Sequence, residues 1–462
     1  MKYLRLKDDF ALRGWDKLPY AIVNQKTGRA VFLNKEQFKA LKLCDGTKEN
    51  AQAASLPEFA DFRRMGIEQG FLEEHTEYNG SGLKDYQRYK KFDCRYIKGI
   101  QWSITGKCNL KCRHCYVSAP DCLHGELSFK DCLHIIEQLE SAGVAEIFIT
   151  GGEPLFRADF WDLIDILIEK RFAITQLYTN GLLADDKFLA ECEKRKLKWT
   201  FCLSFDGVNC HDWLRGISGV EAQTIRAIQR IKEAGHRIAV STALHGGNID
   251  SLTDTFHLLK SLSVDYWKTS QIVDTGGWKD EQAKNSISTR DLYEAYLRFI
   301  PLYRAYGMPM TLLLGGFYYN LKNIEQWNAP LERFDGTEKM LNQPVCGICR
   351  THLYLLPDGK ILPCIPMCGT SFEYSADNTL KTPLTEILKE SSEFFSFINT
   401  RIRELYEKNK ICASCEFKLK CGGCRAIALQ NEHNIYGIDT LACYYFKNNY
   451  RSKIENIITQ VK

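Results

Sequence analysis

From Ile100 onward the chain alternates between short apolar runs and longer polar stretches of helical period. The runs read QWSIT, EIFIT, AITQLYT, WTFCLSF, RIAVSTAL and DYWKTSQIV, the near-continuous apolar character of strands buried on both faces of a parallel sheet. The stretches between them are punctuated as helices. Ser128 with Asp131 and Ser218 with Glu221 fit an N-terminal capping pattern, and Gly143 and Gly235 stand where helix C-caps fall. Six βα units in succession predict an α/β fold with right-handed crossovers, either a barrel or a doubly wound sheet. In both, reactive residues belong at the C-terminal ends of the strands.

Residues 1–80 follow a different pattern, that of a small α+β unit. Strand-like residues 20–23 and 30–33 flank a turn at 25–28, and helical segments follow from Asn34. The run NGSGLKDYQRYKK from Asn79 is polar and carries two glycines, which predicts a linker over 81–95.

Composition narrows the class. The 462 residues are 45% hydrophobic, enough for roughly three domains with cores of their own. Lys and Arg number 61 against 57 Asp and Glu, so the net charge of +4 gives no electrostatic case for nucleic acid or a membrane surface. The opening MKYLRLKDDF is charged where a signal peptide would be apolar, and no run approaches the roughly 18 apolar residues of a span, so a cytoplasmic location is expected. Nineteen cysteines are the anomaly: an odd set in a long chain points to reduced thiols, some of them metal ligands.

Three of these thiols, Cys108, Cys112 and Cys115 in GKCNLKCRHCY, follow the QWSIT strand directly. Three thiolates on one loop can wrap one face of an iron–sulfur cube and leave an iron open for chemistry. A zinc loop would want a fourth ligand at short spacing, and His114, between two of the cysteines, is poorly placed for it.

The spacing Cys-x-x-x-Cys-x-x-Cys followed by Tyr116 resembles the signature of the radical S-adenosylmethionine (SAM) superfamily. That resemblance implies a partial (β/α)6 barrel over residues 96–320, a [4Fe-4S] cluster on the three cysteines, and bound SAM. Gly151, Gly152 and Glu153, one βα unit later in EIFITGGEP, match the family motif that binds the methionine amino group. Ser204 in LSFDG and Arg215 in HDWLRG match positions that contact the ribose and the methionine carboxylate. Asn180 in LYTNG would line the same mouth or simply make a turn, and Tyr116 would flank the adenine or fill the core.

A second set of cysteines is C-terminal. Cys346, Cys349 and Cys364, then Cys412, Cys415, Cys421, Cys424 and Cys443, sit in Pro- and Gly-rich connections suited to wrapping metal, and suggest two tetrathiolate sites. Over residues 340–450 the arrangement resembles the SPASM domain, which holds two auxiliary [4Fe-4S] clusters. The resemblance implies Cys346, Cys349, Cys364 and Cys424 for the first and Cys412, Cys415, Cys421 and Cys443 for the second. Cys421 and Cys424 are separated by two residues where the family commonly has three, which leaves Cys368 as a substitute for Cys424. In the sulfatase-maturing branch an Asp base follows the Gly-x4-Cys cysteine; here Ile365 stands there, which argues against that reaction. Eleven cysteines are then ligands, the twelfth position of three clusters being the open iron. The eight left over, Cys44, Cys94, Cys122, Cys132, Cys192, Cys202, Cys210 and Cys368, read as small buried hydrophobes.

The run AVFLNKEQFKALKLCDGTKENAQAA resembles the winged-helix-like peptide-recognition element of ribosomal-peptide maturases, which takes a precursor's leader as an added edge strand. Together these resemblances imply a cytoplasmic radical SAM peptide maturase. An external flavodoxin- or ferredoxin-type donor would supply the electron that cleaves SAM, and the 5′-deoxyadenosyl radical would abstract hydrogen from the peptide. A thioether or carbon–carbon cross-link is the favoured product, because fully ligated auxiliary clusters could take an electron back. Epimerisation would need a hydrogen donor, for which Cys122 or Cys210 could be nominated only arbitrarily, and no catalytic base is identifiable. The alternatives are a radical enzyme acting on a small molecule or a protein, and a non-catalytic iron–sulfur or zinc module. Anaerobically reconstituted protein is expected to carry three clusters' worth of iron per chain; stoichiometric zinc in a metal assay would overturn that expectation.

Overall fold

The computed structural model describes residues 3–49, 59–78, 80, 82–272, 277–316, 338–418 and 421–460. Residues 50–58, part of the stretch after Asn34 where helical segments are expected, lie outside them, as do Asn79 and Ser81.

The N-terminal unit holds strands β1 (Tyr3–Leu6), β2 (Phe10–Trp15), β3 (Leu18–Asn24), β4 (Ala30–Phe32), β5 (Asp45–Glu49) and β6 (Leu72–His75), with helices Lys35–Lys42 and Phe59–Glu68. Asn34 caps the first helix in a capping box with Gln37. The β2–β3 hairpin is buried on both faces. Leu12 and Ile22 pack into the unit's own core with Phe38, Phe62 and Phe71. Trp15, Ala21 and Val23 point the other way, into the core shared with Ala142, Val144 and Ile147. Trp15 Nε1 donates to the Ala142 carbonyl at 3.1 Å.

The expected linker is a strap. β7 (Lys90–Lys91) pairs in parallel with β2, and the buried Gln87 amide donates to the carbonyls of Leu6, Lys7 and Phe10. Polar composition alone reads as a tether; here the polar groups satisfy the ends of neighbouring strands.

Seven strands then run in parallel: β8 (Gly99–Ser103), β9 (Glu146–Thr150), β10 (Ala173–Thr179), β11 (Thr200–Ser204), β12 (Arg237–Leu244), β13 (Tyr266–Gln271) and β14 (Thr311–Leu314). The first six are the expected ones, and TLLL is a seventh. Helices Phe129–Ser141, Phe160–Glu169, Asp186–Lys194, Val220–Glu233, Leu252–Ser261 and Thr289–Ala305 follow six of the strands. Ser128 and Gly143 end the first helix as the pattern predicts. Ser218 does not cap Val220–Glu233: the Asp212 carboxylate accepts the Gly219 and Glu221 amides, each at 2.6 Å.

The C-terminal part joins this sheet. β15 (His352–Leu355) pairs in parallel with β8 and carries β16 (Ile361–Leu362) antiparallel beside it, giving nine strands in the order β14-β13-β12-β11-β10-β9-β8-β15-β16. The architecture is a partial α/β barrel with an N-terminal α+β unit and a Cys-rich C-terminal region. Among the described residues no helix is long and apolar enough to cross a membrane.

Because Trp15 is fully buried in the barrel's core, Trp15→Ala is expected to destabilise the whole chain by about 3–5 kcal/mol. Urea unfolding followed by tryptophan fluorescence checks this; an unchanged barrel transition would contradict it.

Candidate active site

The loop leaving β8 makes few regular contacts within itself and is held by two neighbours. On one side Gly152 N donates to Thr105 O and Glu153 N to Lys107 O, both at 2.8 Å. On the other, Lys111 N donates to Arg215 O at 3.2 Å and Arg113 N to Leu214 O at 3.0 Å. A Cβ on Gly152 would lie 2.2 Å from Lys107 O, and one on Gly216 2.3 Å from Lys111 O. The glycine pair expected to admit a ligand therefore also admits the cysteine loop itself.

Cys108, Cys112 and Cys115 all line a cavity of ≈ 230 Å³ at the C-terminal ends of β8–β12. Tyr116, Gly151, Gly152, Asn180, Ser204 and Arg215 line the same cavity. Six of the seven expected cofactor contacts thus converge with the three thiols. A larger cavity of ≈ 780 Å³ opens at the opposite end of the barrel, among Arg237, Asp265 and Thr311, away from all of them.

Glu153 is the exception. Its carboxylate is fully buried and accepts from Thr179 Oγ1 at 2.7 Å, Asn180 N at 2.8 Å and Leu155 N at 3.1 Å. Burial pushes its pKa up to about 7 against these donors. It ties the β9 turn to the β10 turn rather than opening into the cavity. Asn180 is tied as well: its amide donates to Asn109 Oδ1 at 2.7 Å, which links the β10 turn to the cysteine loop.

Arg215 is held by Asp206, whose carboxylate takes Arg215 Nε at 2.7 Å and lies 3.0 Å from His211 Nδ1. Burial alone would raise Asp206; Arg215 and His211 instead hold it well below the carboxylate range. Arg215 also reaches Cys112 Sγ, at 3.5 Å. Asp206 was not among the expected site residues, although it stands two positions after Ser204 in LSFDG.

Burial pushes the Cys108 thiol up to about 12 and raises Cys115 too. Such thiols ionise only with a cationic partner, and with an iron–sulfur cluster as that partner the set fits. Tyr354 on β15 and Ile365 complete the wall from the C-terminal region, and Cys202, Ser241 and Tyr178 from the lumen side. Cys122 and Cys210 do not line this cavity. Cys210 instead reaches Gly247 O at 3.7 Å.

Cys412, Cys415, Cys421 and Cys443 line one further cavity, of ≈ 630 Å³. Asn409 caps the short helix carrying Cys412, and Asp439 caps Thr440–Lys447, which carries Cys443. Asp439 also accepts Cys424 N at 2.7 Å. Cys364 lies within electrostatic reach of Cys424 and Cys346, and Cys349 within reach of Cys346 and Cys364. Cys424 has an open surface yet is hemmed in by protein, as a thiol facing a hollow is. Cys368 is fully buried among Tyr354, Leu356 and Met367, on the side toward Cys115. Among the described residues no three His, Cys, Asp or Glu side chains form a group that could hold a single metal ion.

A parallel partial barrel with a three-cysteine loop at its mouth and a cysteine-lined C-terminal extension is laid out as in iron–sulfur proteins of the radical SAM class. Residues 102–259 match the radical SAM superfamily and residues 346–416 the SPASM iron–sulfur cluster-binding domain, so the chain carries a radical SAM domain followed by a SPASM domain. These domains imply SAM and [4Fe-4S] clusters. The AdoMet-dependent heme synthase of Oleidesulfovibrio alaskensis is 28% identical over 335 residues, covering 71% of this chain and 82% of that protein. The mycofactocin maturase MftC of Mycolicibacterium smegmatis is 28% identical over 337 residues, covering 71% and 78%. Among solved structures, Streptococcus suis SuiB bound to precursor peptide SuiA shares the fold over 95% of this chain and 99% of its own (TM-score 0.63, 16% identity). Native anSMEcpe with bound AdoMet shares it over 79% of this chain and 99% of its own (TM-score 0.58, 16% identity).

Since a Cβ at position 152 would overlap the Lys107 carbonyl, Gly152→Ala is expected to displace the cysteine loop and lower bound iron by about one cluster. Iron content equal to the parent's after reconstitution would contradict this.

Proposed function

We propose that this chain is a radical SAM peptide maturase that installs an intramolecular cross-link, thioether or carbon–carbon, in a ribosomal precursor peptide. The observation carrying this reading is the N-terminal unit: its four-stranded sheet, β4-β3-β2-β7, ends in β4, whose outer edge is unpaired among the described residues, and it is built into the barrel's core. The likeness to SuiB over 95% of the chain, in a crystal with its precursor peptide, supports the same reading, as does the similarity to MftC.

When bound, a [4Fe-4S] cluster and SAM supply a 5′-deoxyadenosyl radical, the hydrogen-abstracting agent of this enzyme class. Cys108, Cys112 and Cys115 would hold that cluster. The guanidinium of Arg215, oriented by Asp206, would face the methionine carboxylate, with Ser204 toward the ribose and the Gly151–Gly152 backbone toward the amino group. Tyr116 would border the adenine. Glu153 would act through the two turns it joins rather than by contact. Cys412, Cys415, Cys421 and Cys443 would hold one auxiliary cluster and Cys346, Cys349, Cys364 and Cys424 the other, with Cys368 left as a buried thiol. Ile365 in the cavity wall supports no base of the sulfatase-maturing kind. Tyr354 and Ile365 help close the mouth and keep water from the radical.

Leu33 N donates to Tyr20 O and Asn24 N to Arg29 O, so by alternation the amides of Ala30 and Phe32 point outward from β4. A leader strand would pair with them.

A second reading, action on a tetrapyrrole, is favoured by the similarity to heme synthases. Two experiments test the first. Cys112→Ala should abolish 5′-deoxyadenosine formation by the reduced, reconstituted protein; continued formation would overturn the cluster assignment. Ala30→Pro, which removes one outward amide, should weaken binding of a candidate leader peptide by up to about tenfold in fluorescence anisotropy. No micromolar leader binding to the parent, together with turnover of iron coproporphyrin III, would favour the tetrapyrrole.

A further inference from the structure

Strand β13 turns alternate side chains outward and inward. Trp267 packs edge-on against Phe299 of the helix Thr289–Ala305, ring centroids 5.6 Å apart, and Thr269 Oγ1 donates to Tyr296 Oη at 2.9 Å. Both face the outer helix layer, so Tyr266, Lys268 and Ser270 face the barrel lumen. By register Lys268 stands beside Ser241, and Ser241 beside Ser204; the two serines line the cavity that the three cysteines share. Cys202, in the same wall, acts electrostatically on Lys268.

The other polar groups here satisfy one another. Tyr178 Oη donates to Gln176 Oε1 at 2.8 Å, and Cys202 Sγ lies 3.6 Å from the same oxygen. Arg215 has Asp206, and at the barrel floor Glu146 has Lys98 at 2.6 Å and His352 at 3.3 Å. Lys268 has no hydrogen bond, ion pair or nearby carboxylate among the described residues, although it is open to solvent within the lumen. The surrounding wall lowers its pKa, a cost that an anion at hydrogen-bond distance would offset.

We propose that Lys268 anchors a carboxylate of the substrate in the lumen, which fixes the carbon presented to the SAM side of the cavity. The inference rests on reading the lumen as the substrate chamber. Two sources carry this chemistry, an Asp or Glu side chain of a precursor peptide and a propionate of a tetrapyrrole. Lys268 is then a specificity-determining residue: the free ammonium is a point charge that selects an acid over its amide or ester.

The test is amine acylation of the anaerobic, SAM-loaded holoenzyme, with modification at Lys268 read by peptide mass spectrometry. One arm uses a hexapeptide containing a single glutamate and its glutamine twin; the other uses iron coproporphyrin III and its methyl ester. An acid probe should slow acylation of Lys268 by about tenfold while its neutral twin does not, and the responding arm identifies the source. With that probe as substrate or competitor, Lys268→Met should shift KM or Ki by about tenfold with a smaller change in kcat, and Lys268→Arg should largely restore it. Equal effects of acid and neutral twin, no protection in either arm, or protection by SAM alone would overturn the proposal. Leader binding without protection of Lys268 would refute the anchor and leave the maturase reading standing. Protection by the porphyrin acid alone would keep the anchor and refute that reading.

Discussion

The loop of residues 104–113 takes its shape from two neighbours, and every group at the barrel mouth is positioned by that arrangement. The β9 turn holds its first half through Thr105 O and Lys107 O, and the short helix His211–Arg215 holds its second half through the amides of Lys111 and Arg113. Both supports meet the loop at glycines whose missing Cβ leaves room for its carbonyls. Three thiols on a free loop would have to be ordered by the metal at the full entropic cost of the chain. Here four backbone hydrogen bonds from the two neighbours share in that ordering.

Asp206 extends the same constraint into electrostatics. It is fully buried, and Arg215 compensates its charge, while Oδ1 takes the Ala243 amide at 3.0 Å and Oδ2 lies 3.0 Å from His211 Nδ1. Removing one side of such a pair leaves a buried charge alone, a loss of about 3–5 kcal/mol. The pair therefore fixes where the Arg215 guanidinium points as well as stabilising β11 against β12. Glu153 plays the matching part at the turns of β9 and β10, so two buried carboxylates behind the cavity wall hold the elements that line it.

The local chemistry was readable in the sequence because it is written in short spacings. The cysteine triplet, the GGE turn and the segment from Ser204 to Arg215 follow strands β8, β9 and β11, and an α/β pattern brings strand ends together. Long-range placement was not readable. Nothing in LYLLPDGKILPC says that its first strand will pair with β8, yet that pairing carries Tyr354 and Ile365 to the cavity. The polar strap around Gln87 reads as a tether for the same reason, since its partners are backbone carbonyls some 80 positions away. Cys202 read as a bystander because DYWKTSQIV and WTFCLSF are apolar enough to be buried on both faces, and a buried strand does not declare which residues look inward.

That ambiguity also hid the lumen's charge. In a two-sided buried strand one lysine reads as an interruption, and only the outward contacts of Trp267 and Thr269 assign it to the inner face. Once assigned, its lack of a counter-ion among the described residues becomes informative, because the buried charges nearby, Asp206 at the mouth and Glu146 at the floor, are paired. Under the proposed anchor, an incoming carboxylate would meet this ammonium on the strand side that adjoins the cysteine-lined cavity, so selection would follow charge as well as shape.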